Sequence, residues 1–273
     1  MSRPAGRRTS PATGRAPLRL VLPAMAALAL LLLPLAGLIQ RAPWGSLPSR
    51  LTEPGALDAL RLSLLTASVS TLLCLVLGVP TAWLLARVEF PGRSLVRALI
   101  TVPLVLPPVV GGVALLLAFG RQGVAGQWLE SCCGLTVPFT TGAVVLAQTF
   151  VALPFVILSV EGALRGTDVR YDEAAATLGA SRWTTFRRVT VPLALPGIAA
   201  GAALGWARAL GEFGATITFA GNFPGVSRTM PPAIYISLRE DVDAAIVMSL
   251  LLLAVSIAVL AAMRERWLAG ALG

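Results

Sequence analysis

Arg208 and Glu212 stand four residues apart in WARALGEFGAT, residues 206–216, inside an otherwise apolar stretch. A charge at the middle of a membrane helix costs about 2.5–3.5 kcal/mol on insertion scales, so it faces a cavity or an opposite charge. At this spacing both side chains share one helix face, and Gly211 and Gly214 beside them permit close helix contact. Such a pair can clamp helices together or serve a pathway or gate; the second use is the preferred reading. Other chemistry is excluded by composition. All 22 basic residues are arginine, and lysine and histidine are absent. Without lysine no Walker-type phosphate loop can form, so the chain does not bind ATP in that way. Histidine catalysis, histidine metal ligation and lysine Schiff bases are excluded too, and neither cofactor nor metal is expected. Cys74, Cys132 and Cys133 have no zinc spacing. Cys74 reads as a small residue of an apolar span, and Cys132-Cys133 as an outward pair of thiols, with a strained vicinal disulfide as the alternative.

A second polar stretch, Tyr171 to Pro192, reads YDEAAATLGASRWTTFRRVTVP. The alanine-rich run ending at Gly179 predicts a short helix with a left-handed glycine stop. Ser181 can cap a second helix, with Trp183, Phe186 and Val189 on one face, and Pro192 limits its continuation. The expected unit is a helix–turn–helix outside the membrane.

The elements that position both stretches are apolar helices. Of the 273 residues 56% are hydrophobic and only 13% charged, against roughly 25% charged in soluble domains; the mean hydropathy is +0.80. The chain is therefore an integral membrane protein. Residues 1–17 read as a disordered tail, and residues 18–263 as an all-α domain with six spans of about 20 apolar residues each. These spans are roughly Leu18–Ile39, Leu62–Ala86, Val96–Phe119, Thr141–Val160, Gly197–Ala220 and Ala244–Met263, followed by a short tail, 264–273. Placing both termini in the cytoplasm puts most arginines inside, including Arg87, Arg93, Arg97, Arg165, Arg182, Arg187 and Arg188. Only Arg41, Arg50, Arg61, Arg121, Arg228 and Arg239 fall outside. The positive-inside bias selects that orientation and makes about 161–195 a cytoplasmic loop. It also explains the net charge of +9 without a nucleic-acid partner. In the third span Pro103, Pro107, Pro108, Gly111 and Gly112 loosen the helix near mid-depth. A simple kink and a pathway-lining break are both consistent with them.

Glu173-Ala174-Ala175, three residues, Gly179, nine residues, then Val189-Thr190-Val191-Pro192 resembles the EAA loop of permease subunits in binding-protein-dependent ABC importers. Valines replace the isoleucine and leucine of that pattern. The resemblance implies a six-helix permease of the bacterial inner membrane whose loop, through Glu173, Ala174, Ala175, Gly179 and Pro192, docks on a separate ATPase. It further implies a homodimer of permease subunits, an ATPase dimer and an extracytoplasmic oxyanion-binding protein. RALGEFGA, from Arg208, is similar to the sulfate and molybdate branch, and AGNFPGVSRTMPPAIY, from Ala220, to molybdate and tungstate permeases. The implied function is a molybdate or tungstate importer subunit, with sulfate or thiosulfate as the same-class alternative and an ATP-independent carrier as a more distant one.

Overall fold

Proline and glycine decide where the apolar helices stop and where they touch. The computed structural model describes residues 18–271, so the expected tail over 1–17 lies outside the described residues. The described residues divide into two compact units, one ending at Ala42 and one beginning at Pro43. The first unit holds α1 (Leu18–Gln40), an apolar rod long enough to span a bilayer.

In the second unit α2 (Leu47–Leu51) precedes α3 (Pro54–Arg87), which opens on a proline at its first position. Next come α4 (Arg93–Val105) and α5 (Pro108–Phe119). They form one expected span, bent by 116° where two consecutive prolines withhold backbone donors. A short helix, α6 (Val124–Cys133), leads to α7 (Thr141–Gly166), capped by the Thr140 hydroxyl accepting from Ala143 N. Cys132 and Cys133 are free thiols, and hydrogen bonding from Cys133 pushes the exposed Cys132 thiol up from its ordinary pKa.

After α7 come α8 (Arg170–Thr177) and α9 (Arg182–Thr185), then a π turn over Phe186–Thr190 and α10 (Val191–Leu210). Here two expectations are corrected. Pro192 does not end the second helix of the loop, because the π turn absorbs it. Val191 N reaches back five residues to the Phe186 carbonyl, a wider turn that accommodates a proline lacking its own donor. The fifth span is therefore not Gly197–Ala220 but Arg182–Leu210, and it stops before Glu212. A separate turn of helix follows, α11 (Gly214–Phe219), then α12 (Met230–Glu240) and α13 (Val242–Ala271). Among the described residues five helices can cross a membrane, or six with the bent pair counted once.

The core of this second unit is α3, α7 and α10 packed on one another, with Cys74, Ala152, Val156 and Trp206 buried between them. Small residues set the spacing. A Cβ at Gly197 would lie 2.1 Å from Ala163 Cβ, and one at Gly205 2.7 Å from Val156 Cγ2. With Gly201 against Ser159, the repeat at every fourth residue lets two membrane helices close backbone to backbone.

Candidate coupling loop and membrane-embedded ion pair

The loop forms as its residues dictate. The Asp168 carboxylate accepts from Arg170 N at 3.0 Å and starts α8, and Asp172 and Glu173 lie in its first turn, where the positive end of the helix dipole favours acids. Gly179 sits at φ +82°, the left-handed conformation that glycine adopts without steric cost. There Ala180 N bonds back to the Ala175 carbonyl at 3.0 Å and closes the helix end. The Ser181 hydroxyl then accepts from Thr184 N at 3.2 Å and caps α9. Both the glycine stop and the serine cap agree with the sequence reading. Glu173, Ala174, Leu178 and Gly179 present an exposed face, while Ala175 is half-buried.

What ties this loop to the bundle was not anticipated. Asp172, not Glu173, carries the structural bonds. Its Oδ2 lies 3.2 Å from Arg87 Nε at the end of α3, and its Oδ1 accepts from the Thr190 hydroxyl at 2.9 Å. Arg87 also donates from Nη2 to Thr167 Oγ1 at 2.7 Å. Three segments thus meet on one carboxylate–guanidinium contact: the end of α3, the start of α8 and the π turn. Deeper in, Glu161 of α7 is buried and accepts from Arg97 of α4 and from Arg165 Nε one turn on, the latter at 3.0 Å. The charge mixture of these segments hinted at pairing, but Arg97 and Glu161 stand 64 residues apart, and Arg87 and Asp172 further still, which leaves no local spacing to read.

The membrane pair has a different geometry from the expected shared helix face. Arg208 is in the last turn of α10, and Glu212 lies beyond the end of that helix. Glu212 Oε2 is 2.6 Å from Arg208 Nη1, and Oε1 accepts from Ala215 N at 2.8 Å. In an unbroken helix that amide would donate to the Gly211 carbonyl. The carboxylate replaces the carbonyl, neutralises the arginine and begins α11. Glu212 is 1% exposed, Arg208 27%, so the guanidinium keeps an open side and the carboxylate has none.

Gly211 and Gly214 part company. Gly211 ends α10 with no close neighbour, whereas a Cβ on Gly214 would lie 2.8 Å from Pro108 Cβ. Its close approach is thus within this chain, to the start of α5. On the next turn a Cβ on Gly112 would meet Ala215 O at 2.9 Å. The breaks of the third and fifth spans therefore pack against each other, and broken backbone at this depth is tolerated where protein surrounds it. At the far end of that region Gly225 takes φ +72° and Arg228 Nε donates to Asn222 Oδ1 at 3.1 Å, turning the arginine back on its own loop.

Comparison with known proteins gives the family. The family profile described as binding-protein-dependent transport system inner membrane component matches residues 75–268. The molybdenum transport system permease protein ModB of Mycobacterium tuberculosis is 50% identical over 235 residues, 86% of this chain and 89% of that protein. ModB of Escherichia coli K12 is 42% identical, covering 80% and 95%. The sulfate transport system permease protein CysT of Escherichia coli K12 is 37% identical, covering 85% and 84%. A crystal structure of a bacterial ABC transporter importing alginate superposes with TM-score 0.73 at 17% identity, over 91% of this chain and 93% of that one. An inward-facing methionine transporter, MetNI, gives TM-score 0.63 at 20% identity, over 79% and 96%. This chain belongs to the family of binding-protein-dependent transport system inner membrane components.

Proposed function

We propose that this chain is the membrane-spanning permease subunit of an ABC importer for molybdate, with tungstate as a second tetrahedral dianion of the same charge. The observation that carries the substrate is the 50% identity to a molybdenum permease, against 37% to a sulfate permease over a similar length. Two copies form the pathway, each offering its loop, with Glu173, Ala174, Ala175 and Gly179, to one subunit of an ATPase dimer. An extracytoplasmic oxyanion-binding protein delivers the anion on the other side. Both termini lie in the cytoplasm of the bacterial cell. ATP binding in the partners moves the loops, and the spans alternate between outward and inward openings; this chain makes and breaks no covalent bond.

Arg208, Gly211, Glu212 and Gly214 form the gate in this reading. The half-exposed guanidinium attracts the dianion, and Glu212 offsets enough of its charge to let the anion leave. Pro108 and Gly112 belong to the same gate because they pack on the turn that holds Glu212.

The test is reconstitution of permease, ATPase and binding protein in liposomes. Molybdate-loaded binding protein stimulates ATP hydrolysis and uptake; stimulation by the sulfate-loaded form alone overturns the substrate, and uptake without the ATPase overturns the importer. Topology is checked by cysteine labelling. Position 181 labels from the cytoplasm and position 124 from outside, Val124 being 91% exposed. Gly126 is unsuitable as a reporter, since a Cβ there would lie 1.8 Å from the Gly120 carbonyl oxygen. Ser181 labelling from outside would remove the loop from the ATPase's reach.

A further inference from the structure

A groove of about 380 Å³ runs between the end of α3 and the second helix of the loop, lined by Pro80, Trp83, Leu84, Arg182, Trp183 and Phe186. Its wall is aromatic: Trp83 meets Phe186 edge-on at 5.7 Å, and Trp183 stacks on Phe186 at 5.6 Å. Trp183 is nonetheless 66% exposed. The groove's level is set by the helices that make it. Trp83 and Leu84 lie in the last turn of the α3 span, and Arg182 begins the span that ends at Leu210. Tryptophan at the end of a span marks the headgroup layer of a bilayer.

The charged residues on the groove and on the hollow beyond Trp183 are arginines. Arg182 is on the groove's rim, and Arg187 and Arg188 line the adjoining hollow that shares Trp183. All three arginines are exposed, and among the described residues none of their side chains makes a hydrogen bond or ion pair. Two acids share a further hollow with Arg182: Asp172 is taken by Arg87 and Thr190, and the exposed Glu89 makes no ion pair with Arg182. The exposed docking face with Glu173 and Leu178 is on the preceding helix, α8. The groove instead lies along the end of α3, a helix long and apolar enough to cross a membrane.

We infer that this groove binds an anionic phospholipid, one acyl chain against Trp83, Leu84 and Phe186 and the phosphodiester at Arg182, with Arg187 and Arg188 beyond Trp183. Arginines at the cytoplasmic end of a span are attracted to the anionic inner leaflet by about 1 kcal/mol each. A seated lipid braces α9 against α3 without touching α8. The inference rests on the cytoplasmic placement proposed above only for which leaflet supplies the lipid; binding itself is independent of orientation.

The test uses the full-length chain purified in detergent and native mass spectrometry with phosphatidylglycerol and phosphatidylcholine of identical acyl chains. Phosphatidylglycerol is retained at least about fivefold more, following the attraction of two or more arginines. R182Q/R187Q/R188Q brings the two lipids to parity, and W183A lowers retention of both. Equal retention by the unaltered chain, or a preference that survives the triple substitution, overturns the inference. Displacement of the lipid by millimolar inorganic phosphate would make the site one for free anions, and overturns it too. So does a triple variant that keeps its lipid but no longer captures the ATPase, since the arginines would then be the partner's contact. Should the variants not fold, a photoactivatable phosphatidylglycerol on the unaltered chain decides. Labelling of the 182–190 peptide supports the site, and labelling only elsewhere refutes it. Failure of the topology labelling leaves these results standing.

Discussion

Asp172 and Glu212 solve one problem in two solvents. Each carboxylate gives one oxygen to an arginine and the other to a neutral donor: Arg87 and the Thr190 hydroxyl for Asp172, Arg208 and the Ala215 amide for Glu212. Each thereby fixes the start of a short helix beside the end of a long one. The difference is water. The Asp172 side chain is 21% exposed and that of Glu212 is 1%. A loop carboxylate that loses its partner is rehydrated, so its contact can be remade as the loop moves. One buried in the membrane cannot be, so Glu212 and Arg208 must stay satisfied through every state they visit. In the proposed importer the first contact suits an element that shifts under an external push, and the second a fixed point past which the anion would move.

The sharpest way to break the comparison is to remove one partner of the buried pair. Glu212→Ala strands Arg208 and leaves Ala215 N without its acceptor, at about 3–5 kcal/mol for the uncompensated charge alone. Little assembled permease is expected by size-exclusion of the detergent extract. Arg208→Met with Glu212→Gln keeps an acceptor for that amide and removes both charges. Assembly then recovers while molybdate uptake stays at least about tenfold down, the size of a lost interaction of 1.4 kcal/mol with the anion. Recovery of uptake as well would make the pair a helix clamp and end its assignment to the gate.

In the loop the largest effect belongs to backbone, not charge. Gly179→Val forces a β-branched residue into the left-handed region, at about 1–2 kcal/mol, and turns α8 away from α9. Uptake falls several-fold with the permease still inserted and assembled; unchanged stimulated ATPase and uptake would show that the docking face does not depend on that turn. Asp172→Asn is milder, since the amide still accepts from Thr190 while losing the ion pair with Arg87. An exposed or partly exposed pair contributes roughly 0–1 kcal/mol, so the melting temperature barely moves. The expected change is in coupling, a lower ratio of anion transported to ATP hydrolysed. A loss of assembly matching that of Glu212→Ala would erase the distinction between the two carboxylates.

The smallest effect is a pH dependence at the contact between Arg50 and Asp241. Arg50, 2.5 Å from Asp241 Oδ2, holds that carboxyl below its ordinary pKa by a direct hydrogen bond. A depressed folded pKa means a stabilisation present above the ordinary carboxylate range and lost as pH falls through the lowered value. The melting temperature of Asp241→Asn should therefore lie slightly below that of the unaltered chain at neutral pH and converge with it in acid. A gap that widened in acid would contradict the pairing.

The loop was legible because its signals are local. Gly179 needed a left-handed turn and Ser181 a cap, and both follow from residue type and neighbours within four positions. The break after Leu210 was not. Arg208 and Glu212 at four-residue spacing look like one helical face, and only tertiary packing reveals that Gly214 must meet Pro108 with the backbone already turned. Pro192 misled for the opposite reason: proline usually halts a helix, but a π turn one step earlier gives its ring room. Arg87 with Asp172, and Arg97 with Glu161, pair across the sequence, where residue spacing says nothing.

That π turn keeps the chain helical from Arg182 to Leu210, 29 residues. At 1.5 Å of rise per residue this is a rod of about 43 Å, and a tilt of about 5° at one end carries the other through nearly 4 Å. Leu210 is two residues beyond Arg208. In the proposed importer, a small rotation imposed on the loop by an ATPase would thus be delivered as a displacement larger than the width of a hydrogen bond at the charged turn. Helix α10 would then act as a lever arm, and inserting a flexible Gly-Gly pair in place of the π turn would disconnect its handle from its load.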